Sequence, residues 1–150
     1  PANPGRGDPM LPGRIADVLR SLLPRQLDIE LVVRWHPSEK PVVQSLQPRE
    51  WLSSRNEDLH VLLHAVDVVV VMTSTVGIEA QLAGCHVIQV LGSLYSPDAP
   101  YFEYGIADQA VDLNRLPEEV LAAPVRRGTG EPPLLQAAAH VVDEVLKLIS

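Results

Sequence analysis

The sequence of 150 residues has a single cysteine, Cys85, and no run of apolar residues long enough to cross a membrane. One cysteine excludes an internal disulfide and favours a reducing compartment, so we expect the protein in the cytoplasm. A membrane-spanning helix needs about 20 predominantly apolar residues, and the N-terminus also lacks the basic-then-apolar pattern of a signal peptide. The sequence therefore predicts no transmembrane segment.

Basic residues are few as well. The chain has 12 Lys and Arg against 19 Asp and Glu, which gives a formal net charge of −7. A nucleic-acid surface needs clustered Lys and Arg, whereas only Arg126 and Arg127 are adjacent in this sequence. We therefore expect no nucleic-acid partner.

Several motifs that carry chemistry are absent. The sequence has no GxSxG, no P-loop and no GxGxxG, so serine hydrolysis, Walker-type ATP hydrolysis and dinucleotide binding of the GxGxxG type have no support. His60 and His64 have the spacing of two ligands on one helix face, but the glutamate of HExxH and a third ligand are missing. Cys85 precedes a buried strand and is predicted to be an inert core thiol. We predict no metal site.

The stretch 66–90 carries the clearest structural pattern, VDVVVVMTSTVGIEAQLAGCHVIQV. Two short valine-rich runs flank a polar turn and a helix-length segment of small residues. Apolar runs that do not alternate with polar residues are typical of strands buried on both faces in a parallel sheet. We predict a βαβ unit with a strand at Asp67–Met72, a helix at Val76–Ala83 that stops at Gly84, and a strand at His86–Val90.

Strand and helix patterns alternate along the rest of the chain. This alternation predicts an α/β layer sandwich with a small, mainly parallel sheet of about four strands. Segment 41–54 is interpreted as irregular chain with one helical turn near Arg49–Leu52, and Gly92–Tyr104 as a long, tyrosine-rich loop. The remaining predicted elements are helices at Arg14–Leu23, Asp58–Ala65, Pro117–Leu121 and about Pro133–Ile149, and strands at Ile29–Arg34 and near Ala110–Leu113.

The length of the chain fits one domain. Residues 1–13 are rich in Pro and Gly and are predicted to be a flexible lead-in, and residues 14–150 are predicted to form a single domain. About four strands are few for a self-sufficient domain of this class, so we expect the chain to be part of a larger protein.

The turn after the first strand of the βαβ unit is the first candidate site, because ligands of open parallel sheets bind at the carboxyl ends of strands. A helix N-terminus with free amides, the hydroxyls of Ser74 and Thr75, and close approach at Gly77 suit phosphate oxygens. Ser74 or Thr75 could equally be a plain N-cap. A capping box places its Glu three residues after the cap, whereas Glu79 comes four residues after Thr75. Glu79 would then need another partner, such as a ribose diol.

His36 is the second candidate. Pro37 ends the predicted strand and holds His36 in extended geometry, so the imidazole is expected at the carboxyl end of that strand. Arg34 beside it could face an anion in the same crevice. Alternatively, His36 is a structural loop histidine and Arg34 pairs with Glu39 or another surface acid.

The order of these patterns resembles the C-terminal half of GT-B fold glycosyltransferases. The resemblance runs over about Leu31–Leu113 and rests on R-x-H-P, then D-V-V-V-x-x-x-S-T-x-G-I-E-A-x-x-x-G-x-x-V-I, then a tyrosine-rich loop ending in Y-G-I-A. The chain is particularly similar to bacterial capsule- and cell-wall-type enzymes and to the non-hydrolysing UDP-N-acetylglucosamine 2-epimerases, which share this architecture.

The resemblance implies a Rossmann-like three-layer sandwich that binds a nucleotide-diphosphate sugar as substrate, with UDP favoured and no tightly held metal or other cofactor. It implies that Ser74, Thr75 and Gly77 contact the diphosphate and that Glu79 contacts the ribose. Donors at a helix N-terminus would stabilise the diphosphate as a leaving group, in agreement with the chemistry of the turn.

The resemblance also implies that His36, with Arg34, contacts the phosphate or the leaving group. Family members usually carry Pro where this chain has His86. The N-terminal acceptor domain, which generally supplies the catalytic base, is missing from the sequence, and we expect it as a partner. No catalytic residue is therefore assigned, and the domain alone is expected to be inactive.

Three functions remain open at this point. The first is the donor-binding domain of a glycosyltransferase for surface polysaccharide or cell-wall glycan synthesis. The second is half of a sugar 2-epimerase, although epimerases carry a double glycine after the serine, where this chain has only Gly77. The third is a non-catalytic α/β interaction module whose C-terminal helix and tyrosine-rich loop form a partner surface. A homodimer through exposed apolar surface is also expected.

Overall fold

The computed structural model describes residues 7–36, 45–54, 56–94 and 98–125, which form an α/β structure. Helices and strands are interspersed along these residues, and every strand pair among them is parallel. The predicted C-terminal helix, Pro37, Glu39 and Tyr95 lie outside the described residues. The elements are α1 (Leu11–Arg20), β1 (Leu31–Val33), β2 (Glu50–Leu52), α2 (Leu59–Ala65), β3 (Val68–Val71), α3 (Val76–Leu82), β4 (His86–Val90), β5 (Gln109–Val111), a 3-10 turn (Leu113–Arg115) and α4 (Leu116–Ala122).

The chain divides into two compact units. The N-terminal unit is Met10–Asp58, and the C-terminal unit runs from Leu59 onward and includes the residues up to Pro9. β1 and β2 form a two-stranded sheet in the first unit, and β3, β4 and β5 form a three-stranded sheet, in that order, in the second. The sequence predicts one small, mainly parallel sheet, whereas the described residues form two separate parallel sheets.

β4 is the central strand of the three-stranded sheet. Val87, Ile88, Gln89 and Val90 are all buried, so this strand is covered on both faces, as its apolar run predicts. β3 is an edge strand of this sheet, and Val71 is the only buried residue of β3. The βαβ unit predicted for this stretch is confirmed, with β3 and β4 parallel around α3.

The core of the C-terminal unit lies between the sheet and the helices α2 and α3. Small residues on α3 allow the helix to approach the sheet closely, and Ala80 is fully buried there. Each large apolar side chain removed from water in such a core contributes about 1.5–3 kcal/mol to stability. The buried cluster consists of Leu63, Val71, Ala80, Ala83, Cys85, Val87, Tyr101 and Ala107.

Helix ends follow the local sequence. α1 begins at Leu11, three residues earlier than predicted, because Pro12 is accommodated in the first turn, where its missing amide hydrogen is not needed. α3 ends before Gly84, whose φ of 83° is a left-handed conformation that glycine adopts at little cost. None of the helices within the described ranges has the length and apolar character needed to cross a bilayer.

β2 corrects one prediction. The helical turn expected near Arg49–Leu52 is wrong, because Glu50–Leu52 is a strand that pairs in parallel with β1. Arg49 precedes it with a φ of 65°, which turns the chain into the sheet. Its guanidinium donates hydrogen bonds to the carbonyl oxygens of Gln26 at 2.6 Å and Ile29 at 2.7 Å, and also to that of Leu23. These bonds hold the connection between α1 and β1 and compensate the unusual backbone geometry.

Glu50 forms a buried ion pair with Arg20. Arg20 Nε donates to Glu50 Oε1 at 2.6 Å, and the Gln47 amide donates to Glu50 Oε2 at 3.1 Å. Burial by itself raises the pKa of Glu50, but the Gln47 hydrogen bond and the bond to charged Arg20 outweigh it, and the pKa is lowered from 4.5. The carboxylate therefore stays ionised inside the N-terminal unit.

Candidate functional site

The candidate turn lies where the sequence predicts it, at the carboxyl end of β3. β3 ends at Val71, and α3 begins at Val76, so the polar residues 72–75 form the connection between them. Because β3, β4 and β5 are parallel, their carboxyl ends lie at one edge of the sheet. This edge is the position at which open α/β sheets bind ligands.

The amides at the start of α3 already have local partners. The Val76 amide donates to Ser74 Oγ at 3.2 Å, the Gly77 amide to the Ser74 carbonyl at 3.1 Å, and the Ile78 amide to the Thr75 carbonyl at 3.0 Å. These contacts differ from the free amides expected from the sequence. A phosphate at this helix start would have to share or displace them.

Capping at this turn is performed by Ser74. Thr75 occupies the N-cap position, but its backbone is helical, with φ −60° and ψ −17°, and its hydroxyl makes no capping bond. Ser74 instead bonds the amide two residues ahead, a serine turn that competes with ordinary capping. Thr75 is the exposed residue of this turn, whereas Thr73 and Ser74 are half-buried.

Gly77 is buried against the loop that follows β4. A Cβ atom at this position would lie 3.4 Å from Val71, 3.5 Å from Tyr101 and 3.6 Å from Ile106. These are ordinary van der Waals distances, so the close approach that Gly77 permits is an approach of protein side chains. Glycine here is explained by packing, and contact with a ligand is a separate hypothesis.

Two side chains hold the backbone of the turn from neighbouring elements. Tyr101 Oη donates to the Thr73 carbonyl at 2.9 Å, and Gln89 Nε2 donates to the carbonyls of Met72 at 3.0 Å and Ala99 at 2.8 Å. Gln89 is only 1% exposed and Tyr101 only 8%. Burial raises the pKa of Tyr101 above 10, which keeps the hydroxyl protonated as a donor. The turn is therefore fixed before any ligand arrives.

The connection after β4 is organised by Asp98. Its carboxylate accepts hydrogen bonds from the Gly92 amide at 2.9 Å, the Ser93 amide at 3.1 Å and Ser93 Oγ at 2.7 Å. Gly92 has a φ of 94°, which permits the chain to turn sharply at the strand end. The carboxyl edge of the sheet is thus built from two tied turns, one after β3 and one after β4.

Glu79 lies on α3, three residues into the helix, and is half-buried. Within the described part of the chain its carboxylate makes no hydrogen bond or ion pair. Its position in the first turn is favourable for a negative charge because of the helix dipole. No capping-box bond reaches Glu79, as its spacing of four residues from Thr75 predicts.

Arg34 and His36 belong to the N-terminal unit. Arg34 Nη1 donates to the Glu57 carbonyl at 3.0 Å and to Ser53 Oγ at 3.3 Å, and Ser53 Oγ in turn donates to Glu57 Oε2 at 2.7 Å. Arg34 therefore joins the segment after β1 to the segment after β2. His36 is exposed, three residues beyond the end of β1.

Comparison with protein-family models, with curated proteins and with solved structures gives no match. The functional assignment of the chain therefore rests on its own residues and geometry.

Metal-binding side chains are scattered among the residues that the structure covers. No three His, Cys, Asp or Glu side chains in the described ranges are placed to hold one ion. His60 and His64 lie on α2, and Cys85 is only 4% exposed, with Sγ 3.1 Å from the Leu63 carbonyl. Cys85 is thus the core thiol that its position between Gly84 and a buried strand predicts.

The sequence did not single out Gln89 or Asp98. Gln89 is a polar residue in an otherwise apolar strand, and a buried amide of this kind needs partners, so its position was a usable signal. Asp98 comes a few residues after the end of β4 and after Gly92. An aspartate in this position typically accepts hydrogen bonds from the amides of a turn.

Proposed function

We propose that the chain is the nucleotide-sugar donor-binding domain of a bacterial-type GT-B glycosyltransferase that makes surface polysaccharide or cell-wall glycan. The main support is the placement of Ser74, Thr75 and Glu79 at the carboxyl end of β3 in a parallel βαβ unit. A diphosphate would approach the exposed Thr75 hydroxyl and the start of α3, and Glu79 would accept from a ribose hydroxyl. The domain supplies binding and leaves the catalytic base to a separate acceptor domain.

The electrostatics of the turn support this proposal in part. The first turn of α3 carries the positive end of the helix dipole, and Ser74 and Thr75 add two hydroxyl donors. Glu79 has no partner within the described residues, so a ribose diol would meet an available acceptor. UDP is the favoured nucleotide by resemblance to the family, with no metal required.

Isothermal titration with UDP-N-acetylglucosamine, and with CDP and GDP sugars, tests the proposal. We expect one of these donors to bind, and Glu79→Ala to abolish binding while the circular dichroism spectrum is unchanged. Glu118→Ala, which removes an exposed carboxylate from the first turn of α4, is the matched control and should bind as the parent does. Absence of binding to every nucleotide at millimolar concentration would contradict the proposal.

A second candidate function is a non-catalytic interaction module on the same scaffold. The local hydrogen bonds of the Val76, Gly77 and Ile78 amides favour it, because they leave less donor capacity for a phosphate. Phe102 and Tyr104 are exposed on the turn after β4 and offer apolar surface to a partner. This candidate predicts no nucleotide binding and no effect of Glu79→Ala.

A further inference from the structure

Residues 7–9, which we term the N-terminal strap, lie against the turn that follows β4. The Asp8 amide donates a hydrogen bond to the Gly92 carbonyl at 2.9 Å. By its contacts the strap belongs to the C-terminal unit, although the N-terminal unit begins immediately after it in the chain, at Met10. The strap therefore packs on the unit that holds the candidate turn.

Gly7 sets how closely the strap approaches the turn after β4. A Cβ atom at Gly7 would overlap the backbone carbonyl of Ser93 and would lie 2.6 Å from the Cα atom of Leu94. Both neighbours are backbone, which cannot move aside as the end of a flexible side chain can. Ser93, which the strap contacts, is only 3% exposed. The strap thus needs glycine at position 7 in order to close over the turn.

The contact lies at the edge of the sheet where ligands are expected. β4 is the central strand and ends at Val90, so Gly92 and Ser93 stand at the middle of the carboxyl edge. Open parallel sheets bind their ligands beyond this edge. Adjacent strands are only about 4.8 Å apart, and a nucleotide sugar is several times longer. A donor that starts at Ser74 and extends along the edge therefore meets the strap.

The strap also adds negative charge to this edge. Asp8 is half-buried, and the carboxylate of Asp98 already accepts hydrogen bonds from the Gly92 and Ser93 amides. A diphosphate is negatively charged as well, and like charges repel more strongly where burial reduces screening by water. The closed strap and a bound diphosphate therefore disfavour each other.

We propose that the strap is an autoinhibitory element, which occupies the middle of the carboxyl edge and must leave before a nucleotide sugar binds across it. This inference rests on the proposed donor-binding function and adds regulation of the same site. Release breaks the bond between Asp8 and Gly92 and the contact of Gly7, neither of which belongs to the ladder of the sheet, so the sheet stays folded. A strap that is mostly closed lowers the apparent affinity by the fraction of molecules in which it is open.

Gly7→Ala opens the strap, because the added methyl group has no room against the Ser93 carbonyl. Calorimetry with UDP-N-acetylglucosamine should show binding about two- to tenfold tighter than that of the parent, the population shift expected from one backbone hydrogen bond. Gly13→Ala is the matched control. It makes the same change in α1, where a Cβ atom meets nothing within 4 Å, and should bind as the parent does.

The binding results separate this inference from the function on which it rests. Equal binding by the parent, Gly7→Ala and Gly13→Ala, or weaker binding by Gly7→Ala, overturns the autoinhibition and leaves the donor-binding function standing. Absence of binding by all three contradicts the donor-binding function, and the inference falls with it.

Hydrogen exchange measures release of the strap without a nucleotide. The Asp8 amide should be protected in the parent and in Gly13→Ala and should exchange several-fold faster in Gly7→Ala. The Val87 amide, in the buried central strand, should keep its protection in all three proteins. Unchanged exchange of the Asp8 amide in Gly7→Ala would show that the strap does not close, and would overturn the proposal.

Asp8→Pro opens the strap in a second way and decides the question if Gly7→Ala also exposes the Val87 amide and has therefore unfolded. Proline has no amide hydrogen to donate to the Gly92 carbonyl. This variant should bind UDP-N-acetylglucosamine more tightly than the parent, with faster exchange of the Ser93 amide and an unchanged Val87 amide. Binding equal to that of the parent in Asp8→Pro would overturn the autoinhibition.

Discussion

The hydroxyl of Tyr101 donates a hydrogen bond to the carbonyl oxygen of Thr73, across a distance of 2.9 Å. The two residues are far apart in sequence, one in the turn before α3 and the other in the loop after β4. Their bond joins the two turns that form the carboxyl edge of the sheet. The geometry of the candidate site therefore depends on a residue that need not touch a ligand.

Tyr101→Phe tests this dependence. Loss of the hydrogen bond leaves a carbonyl without its donor and should lower the free energy of unfolding by about 1–2 kcal/mol. Burial also raises the pKa of Tyr101 in the folded chain above its ordinary value of 10. As pH rises above 10, the tyrosine therefore ionises first in the unfolded chain, and the folded chain loses stability. Denaturant unfolding at pH 7 and above pH 10 should show this alkaline loss in the parent and less of it in the variant.

The matched control for that substitution is Tyr104→Phe. Tyr104 is 72% exposed on the same turn, so removal of its hydroxyl should change stability by less than about 0.5 kcal/mol. An equal loss of stability in both variants would mean that the Thr73 bond is not the cause.

Substitution of Gln89 is expected to lower the stability of the chain far more than substitution of an ordinary polar residue. Gln89→Met removes the donor to the Met72 and Ala99 carbonyls in a strand where no water can replace it, so we expect a loss of about 2–4 kcal/mol. Gln81→Met, the same substitution at a glutamine with an unpaired Oε1, should have the opposite sign. Thermal unfolding followed by circular dichroism measures both, and equal signs would refute this account.

Glu50 should make the N-terminal unit sensitive to acid. The pKa of Glu50 is lower in the folded chain than its ordinary value of 4.5. Its contribution to stability is therefore present above pH 4.5 and is lost as pH falls through the pKa of the folded chain. Glu50→Gln should be less stable at pH 7 by about 1–3 kcal/mol and should lose less stability below pH 4.5 than the parent. Fluorescence of the tryptophans during urea unfolding between pH 3 and pH 7 measures this difference.

Asp17→Asn provides the comparison for Glu50→Gln. Asp17 contacts the same arginine at 3.5 Å, but its side chain is 71% exposed. A pair of this kind contributes about 0–1 kcal/mol, so the variant should unfold nearly as the parent does at every pH. A large loss of stability in Asp17→Asn would show that Arg20 stabilises the fold through both Asp17 and Glu50.

Gly77→Ala separates packing from ligand contact. The new methyl group meets its neighbours at 3.4 Å or more, and alanine is a better helix former than glycine by about 1 kcal/mol. We therefore expect unchanged or slightly higher stability. If a diphosphate lies close to this backbone, the variant should bind the nucleotide sugar more weakly in calorimetry. Ala83→Gly, at the C-cap of the same helix, should lower stability and leave binding unchanged.

Local patterns in the sequence predicted most elements of the C-terminal unit. The valine runs, the small residues of α3 and the position of Gly84 act within a few residues of one another, so the βαβ unit follows from them directly. β4 occupies His86–Val90, as predicted, and β5 and α4 lie close to their predicted positions. β3 and β4 are parallel because the crossover between them runs through α3.

The sequence could not predict features that depend on distant contacts. Glu50–Leu52 has no strand pattern of its own, and it becomes a strand because it pairs with β1 while Arg49 binds three carbonyls from the preceding segment. The candidate site shows the same limit. The turn at Ser74 was found from its residue types, but the partners of its amides and the support from Gln89 appear only in three dimensions.

Cys85 gives the C-terminal unit an internal reporter. It is the only cysteine of the chain. Its sulfur lies within the core cluster, 3.1 Å from the carbonyl oxygen of Leu63. Cys85 is only 4% exposed, so the rate at which a thiol reagent modifies it should follow how often the surrounding core opens. The N-terminal unit has no cysteine, so this labelling reports on the C-terminal unit alone.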